Sequence, residues 1–457
     1  MRKVLVGVGG LALSSCLLGV TTANSGSVAA SPLPSMGVIS AASPIKHVVI
    51  VYQENHTFDD VLGGVCAVRQ NPCNGYIGPV TFADGVTAPN VVQPDNIPVV
   101  DHKPESQRLG MDDQWDQIVG CDVSPYNCVS HVDPANIPNL TALADTFTVS
   151  DATFAAGDSS TFGAHVTLGG GTFDGFAGWN PVESIKGVKP REGWGCGSRR
   201  DALWGNPHHL TYQPTCVPDQ KGRGPYRKTK VPYTSTIMER VEEAGLSWHI
   251  YEGDSETAPT LGSWSVCTYY AWCWLHRWDL EHDSSRADFV TAAGGGTLPN
   301  LSILIPTGSV SQHNGTSMAG GDDYIGQMVG AAMNGPDWDS TAIFITYDDC
   351  GCFYDHVKPP SKEMGLRNPM VIISPWAKPQ GTDSTTAIQP YSALAFVEHA
   401  FGLRSLTTQV DGAYDYANSF DFSQRPLRGP AMTHTPIPLS ERRQLAKQLP
   451  RVEKDPT

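Results

Sequence analysis

Most of this chain shows little hydrophobic periodicity, and a few short β-branched runs stand out against that background. The first is Val48–Tyr52 (VVIVY), five apolar residues that give way to Glu54, Asn55 and His56. A continuous apolar run of this length predicts a buried strand of an α/β sheet. Ala342–Tyr347 has the same form and ends at Asp348 and Asp349. Shorter runs predict strands near Thr146–Thr153, Leu246–Tyr251, Leu301–Pro306 and Pro369–Ile373. Helical spacing marks Ile137–Phe147, Thr234–Ala244, Asp322–Met333 and Tyr391–Phe401. Strands alternating with helices imply an α/β fold with a mostly parallel central sheet and helices on both faces.

The segments between these runs read as large loop insertions. Gly63 to about Ser130 is rich in Pro, Asn and Asp and carries His102. Ala155–Thr172 is small, hydroxyl-rich and glycine-punctuated, with an apolar tail (Val166, Leu168) suited to a helix or a strand. Residues 176–232 read as an insertion, residues 254–298 as an aromatic excursion, and the tail after about Ser419 as irregular.

Composition narrows the class. An apolar fraction of 40% and a charged fraction of 17% over 457 residues describe a globular chain with ample core. A formal charge of −15 argues against nucleic acid as a partner. The N-terminus has the form of an export signal over residues 1–30, with candidate cleavage points after Ala23 or Ala30; a lipoprotein reading would make Cys16 the anchored residue. A linker over 31–45 and a single catalytic domain over 46–457 follow. No other segment is apolar enough to span a bilayer, so membrane contact is expected to be peripheral at most. Beyond Cys16, ten cysteines fall in five sequence-local couples, which suggests disulfide staples in an exported protein. Cys350 and Cys352 are the odd couple, because a C-x-C bridge is strained.

Three groups carry the chemistry: Glu54-Asn55, Asp348-Asp349 and the hydroxyls Ser159, Ser160 and Thr161. Parallel strands bring their C-terminal ends together, whatever their separation in the chain. Three carboxylates and an amide suit one hard divalent cation, which also keeps the carboxylates ionised side by side. A hydroxyl before a helix is commonly an N-cap, but on a sharp turn it can also serve as a nucleophile. Together these suit phosphoryl or sulfuryl transfer through a covalent ester, with histidines as phosphate ligands and general acid. A C/S-x-P-x-R block, which a sulfatase would need, is absent. The competing reading is a binding protein that keeps the fold without catalysis.

The blocks VVIVYQENHTFDDVLG, IPNLTALADTFTVSDATF, TAIFITYDDCGCFYDHVKPP and GLRNPMVIISPWAK occur in this order. In them the chain resembles the bacterial phosphoesterase family of phospholipases C and acid phosphatases, within the alkaline-phosphatase-like superfamily. The resemblance runs from about Ile45 to about Phe401. It implies Glu54, Asn55, Asp348 and Asp349 as metal ligands, and Thr161 as nucleophile on aligning Gly171-Thr172, with Ser160 or Ser159 as alternatives. It also implies that His102 and His313 contact the phosphate and act in catalysis. His56 belongs to the signature, and Asp355-His356 to a motif that braces the site. His165 and His249 are candidates to line the pocket, His165 as a substrate contact. The implied substrate is a phosphate-ester small molecule or a phospholipid, with the aromatic segment Trp264–Trp278 as a platform for a lipid.

Overall fold

The computed structural model describes residues 39–40, 42–121, 126–206, 208–252, 264–276, 283–306, 308–435, 437 and 439–452. The export signal, Cys16 and Trp278 lie outside the described residues. Eight strands build the central sheet: β1 (His47–Gln53), β2 (Thr148–Ser150), β3 (Trp248–Glu252), β4 (Asp283–Ser284), β5 (Leu301–Ile305), β6 (Thr341–Tyr347), β7 (Met370–Ile373) and β8 (Thr382–Asp383). Their order is β4-β3-β5-β1-β6-β7-β2-β8. All neighbours are parallel except β7, which runs antiparallel to β6 and β2.

The continuous apolar runs are explained by burial of both sheet faces. Val49, Val51, Ile343 and Ile345 enter one core, with the helices Phe58–Val68, Pro138–Thr146 and Met318–Asn334. Val48, Ile50, Tyr52 and Phe344 enter the other, with the helices Thr161–Gly170, Ile237–Glu243 and Tyr391–Phe401. The β1 and β6 strands, the longest at seven residues each, lie side by side near the middle of the sheet.

Several expectations change. The span from Gly63 to Ser130 is not all loop. The Phe58–Val68 helix runs into it, burying Phe58, Val61, Leu62 and Val65 at helical spacing, and Pro104–Met111 is a helix with proline in its first turn. The excursion over 254–298 includes the helix Arg286–Gly295, whose start is a Ser285–Asp288 capping box legible in the sequence. The tail is not irregular throughout, since Leu439–Val452 is helical. Its apolar signal is sparse, and the buried Leu445 is what ties it down. The strand expected over Thr146–Thr153 is divided, with Thr153–Ala155 pairing outside the main sheet.

Four disulfides form as sequence-local staples: Cys66–Cys73, Cys121–Cys128, Cys196–Cys216 and Cys267–Cys273. Cys350 and Cys352 are free and buried. No helix among the described residues is long and apolar enough to cross a membrane.

Candidate active site

Gln53 pairs with Tyr347 in the parallel register, so Glu54 and Asp348 leave the sheet side by side. The turn is held by backbone donors: Asp348 N–H donates to the Gln53 carbonyl at 2.9 Å, and Asn55 N–H to Asp348 Oδ1 at 2.9 Å. Asp349 N–H donates to Asp348 Oδ1 at 2.7 Å, and Gly351 N–H to Asp349 Oδ1 at 2.8 Å. Asn55 sits at φ +63°, a left-handed conformation that asparagine tolerates better than most residues. Gly351, at φ +50°, is constrained by space as well, because a Cβ there would come within 2.0 Å of the Asn55 carbonyl oxygen.

This polar knot is sealed. Glu54, Asn55, Asp348, Asp349 and Thr161 are each at most 2% exposed. Yet Glu54 Oε2, Asp348 Oδ2, Asp349 Oδ2 and Thr161 Oγ1 find no hydrogen-bond partner among the described residues. Burial, then repulsion from Asp348 and from Asp349, raises the Glu54 carboxyl well above the carboxylate range, and burial and Asp348 do the same to Asp349. Buried oxygens of one sign left unpaired are costly. A divalent cation would offset the charge of such carboxylate oxygens.

The Asn55 carboxamide points the same way. One of its terminal atoms lies 3.1 Å from Asp348 Oδ1 and 3.0 Å from Asp349 Oδ1, and the other lies 2.8 Å from His313 Nε2. Which atom is oxygen follows from the imidazole. His313 Nδ1 faces the Asn314 carbonyl at 2.9 Å, so it carries the proton. Burial, then His102, lowers His313 to about 3, so the ring is neutral and Nε2 is bare. A bare Nε2 requires a donor, which turns the amide nitrogen to His313 and the amide oxygen to the two carboxylates. An oxygen aimed at two carboxylates is the arrangement of a cation site. The residues therefore fit a hard, oxygen-ligated ion.

Thr161 opens the buried helix Thr161–Gly170, after Ser160 in extended conformation. Three glycines make this a poor helix in isolation, and packing of Phe162, Val166 and Leu168 holds it. Gly163 is required, since a Cβ there would lie 2.0 Å from Ser159 Oγ. Ser159 Oγ donates to the Ser160 carbonyl at 3.0 Å, whereas Ser160 Oγ and Thr161 Oγ1 are buried without partners. The Thr161 hydroxyl is close enough to Glu54 to lower its carboxyl pKa in part.

The histidines divide. His165, one turn along that helix, has its Nε2 3.0 Å from Glu54 Oε1 and its Nδ1 2.6 Å from the Trp264 carbonyl. Both nitrogens are therefore engaged within the protein, beside Glu54 and Asp348. His313 lies under the Trp264 ring, 5.3 Å between centroids, and 5.6 Å from His102. His102 Nδ1 donates to the Val100 carbonyl at 3.0 Å, leaving Nε2 as its basic nitrogen. Gln107 ties this loop to the hydroxyl loop, donating to the carbonyls of His102 and Ser159, each at 2.9 Å. His56 is bound to Asp60 at 2.5 Å and to the Gln312 carbonyl at 2.9 Å, so both its nitrogens are engaged within the protein. His249 bonds Ser284 across β3 and β4 and is not brought to the site.

Asp355 and His356 join a cluster that sequence reasoning did not assemble. Arg367, fully buried, lies 2.9 Å from Asp59 Oδ1 and 3.0 Å from Asp355 Oδ1, and stacks over Phe58 at 4.2 Å. His356 Nδ1 meets Asp59 Oδ2 at 2.6 Å. The only signal was the position of Arg367 inside the GLRNP block.

Known proteins can now be set beside this geometry. The chain is 25% identical over 435 residues to a non-hemolytic phospholipase C of Burkholderia pseudomallei, covering 79% of this chain and 55% of that protein. It is 24% identical over 450 residues to phospholipase C A of Mycobacterium tuberculosis (strain ATCC 25618 / H37Rv), covering 84% and 78%. The chain thus spans about half the length of the first of these relatives. Among solved structures, a protein in the alkaline phosphatase superfamily from Vibrio parahaemolyticus is similar at a TM-score of 0.39 and 11% identity, over 84% of this chain and 74% of that one. The Phosphoesterase family model matches residues 45–404, most of the chain, and the chain belongs to the Phosphoesterase family.

Proposed function

We propose that this protein is a metal-dependent hydrolase of phosphate esters, of the phospholipase C or acid phosphatase type, with Thr161 as nucleophile. The observation that carries this reading is the sealed group of unpaired oxygens on Glu54, Asp348 and Asp349 around an unpaired Thr161 hydroxyl. Glu54, Asn55, Asp348 and Asp349 would hold one divalent cation. When bound, such an ion lowers the pKa of a hydroxyl and neutralises phosphoryl oxygens.

Thr161 Oγ1 attacks phosphorus, the bond to the leaving alcohol breaks, and a phosphothreonine ester forms. His102, whose Nε2 is the basic nitrogen, takes up the proton that Thr161 Oγ1 loses, delivers it to the leaving oxygen and then draws a proton from the water that hydrolyses the ester. His313 acts through Asn55, fixing the amide so that its oxygen faces the carboxylates, and His165 braces Glu54. Both therefore position ligands, in place of the phosphate contact that the motifs implied. The helix N-terminus at Thr161 favours the anion that develops there. Four staples and the signal-like leader support an exported protein.

The test is turnover of p-nitrophenyl phosphate, p-nitrophenyl phosphorylcholine and phosphatidylcholine by wild type and Thr161→Ala, with and without chelator. Turnover that both the substitution and chelation abolish supports the reading. Unchanged turnover by the variant removes the nucleophile assignment, and hydrolysis of none of the three esters favours a binding protein.

A further inference from the structure

Eight of the cysteines after Cys16 are paired, and the two that are not lie immediately beyond Asp349. Cys350 Sγ and Cys352 Sγ are 3.1 Å apart, closer than two non-bonded sulfurs ordinarily approach, and the Cys352 N–H donates to Cys350 Sγ at 3.0 Å. Gly351 and Cys352 both take left-handed φ values, +50° and +52°, which folds the three residues into a tight ring. The glycine between them is the residue whose N–H fixes Asp349 Oδ1. We infer that Cys350 and Cys352 are joined in a reversible disulfide in the exported protein, and that this bond clamps the loop holding Asp349.

The chemistry is thiol–disulfide exchange with a small-molecule or enzyme disulfide as oxidant. One thiolate attacks the oxidant and expels the first thiol, and the second thiolate then attacks the mixed disulfide and expels the other. The two thiols lose two protons and two electrons, and the oxidant takes up both as two thiols. Both sulfurs are at most 2% exposed, so the exchange belongs to folding, before the loop is sealed. A bridge across a single residue is strained, which makes it more readily reduced than the four longer staples. The bond itself is independent of the proposed activity; only its consequence for Asp349 touches that reading.

The full chain, purified after export, is unfolded in N-ethylmaleimide without reductant, digested and weighed. The expected fragment spanning Cys350 and Cys352 carries no maleimide and is lighter than the dithiol form by two hydrogens. After incubation with reduced glutathione in enough urea to open the loop, and return to native buffer, both thiols should be capped on unfolding while the other four disulfides stay closed. Hydrogen exchange at the Gly351 amide should then lose its protection, and Cys350→Ser/Cys352→Ser protein should match the reduced sample. Two maleimides in the unreduced sample overturn the inference, as does bonding of either sulfur to a different cysteine. Equal exchange at Gly351 in both states overturns the clamp. None of these readouts requires turnover or metal, so failure of the hydrolase reading would show separately.

Discussion

Two acidic clusters sit behind the β1–β6 tips, and they are built to opposite ends. In one, Asp59 and Asp355 share Arg367, with His356 on the outer oxygen of Asp59. In the other, Glu54, Asp348 and Asp349 meet no arginine or lysine within ion-pair distance among the described residues. His165 makes an ion-pair contact with Glu54 at 3.0 Å, lies close to Asp348 as well, and is held towards its neutral form by burial. Asp59, Asp355 and His356 pass the simplest test for a metal site, acidic and imidazole atoms within 4.8 Å of one another, and so do Glu54, His165 and Asp348. Only the second leaves buried oxygens unpaired. Acidic density is therefore common to both clusters, and the absence of an internal countercharge is what sets the proposed cation site apart.

That contrast can be broken most sharply at Thr161. Thr161→Ala should reduce kcat by at least about 10⁴-fold, as expected when a covalent nucleophile is removed. Metal content should stay unchanged, measured by steady-state kinetics and elemental analysis. Arg367→Met should do the reverse, destabilising the fold by about 3–5 kcal/mol because it strands two buried carboxylates. Chemical denaturation reads this loss, and metal bound per folded chain should be preserved. A variant of Arg367 that unfolds no more easily than wild type would erase the distinction between the clusters. His165→Gln should be milder, weakening metal retention about tenfold through the loss of its hold on Glu54. Competition with a chelator measures it.

The smallest effect is on pH. Glu54 and Asp349 have raised pKa values in the metal-free fold, so the folded state binds their protons more tightly than the unfolded chain. Their stabilising protonation is complete below the ordinary carboxylate pKa of about 4 and is lost as pH rises through the raised values. Chelated protein should therefore melt at a lower temperature at pH 8 than at pH 5, and the cation should restore it. Burial also raises Asp355 of the Arg367 cluster to about 6, so that cluster shares the fall between pH 5 and pH 8, but the cation should not restore its part.

How much of this was legible beforehand depends on what kind of interaction fixed each residue. The strands carrying Glu54 and Asp348 were readable because burial on both faces demands unbroken apolar runs such as Val48–Tyr52. The juxtaposition of Glu54 and Asp348 followed, since parallel strands end together. Arg367 was invisible as a partner: its contacts to Asp59 and Asp355 are set by tertiary packing, not by spacing. The contacts of His165 and His313 were not readable, because which nitrogen of an imidazole is engaged is set by tertiary packing. The helix Leu439–Val452 escaped because its tie to the fold rests on few apolar residues, Leu445 among them.

The most direct measurement is the metal content of purified protein by elemental mass spectrometry, wild type against Asp348→Asn, each paired with turnover of p-nitrophenyl phosphate. About one divalent ion per wild-type chain is expected from a single cluster of hard oxygen ligands. It should be lost together with activity in the variant and on exhaustive chelation. Wild-type protein that holds no divalent ion and still turns over after chelation would contradict the assignment of Glu54, Asn55, Asp348 and Asp349 as its cation site.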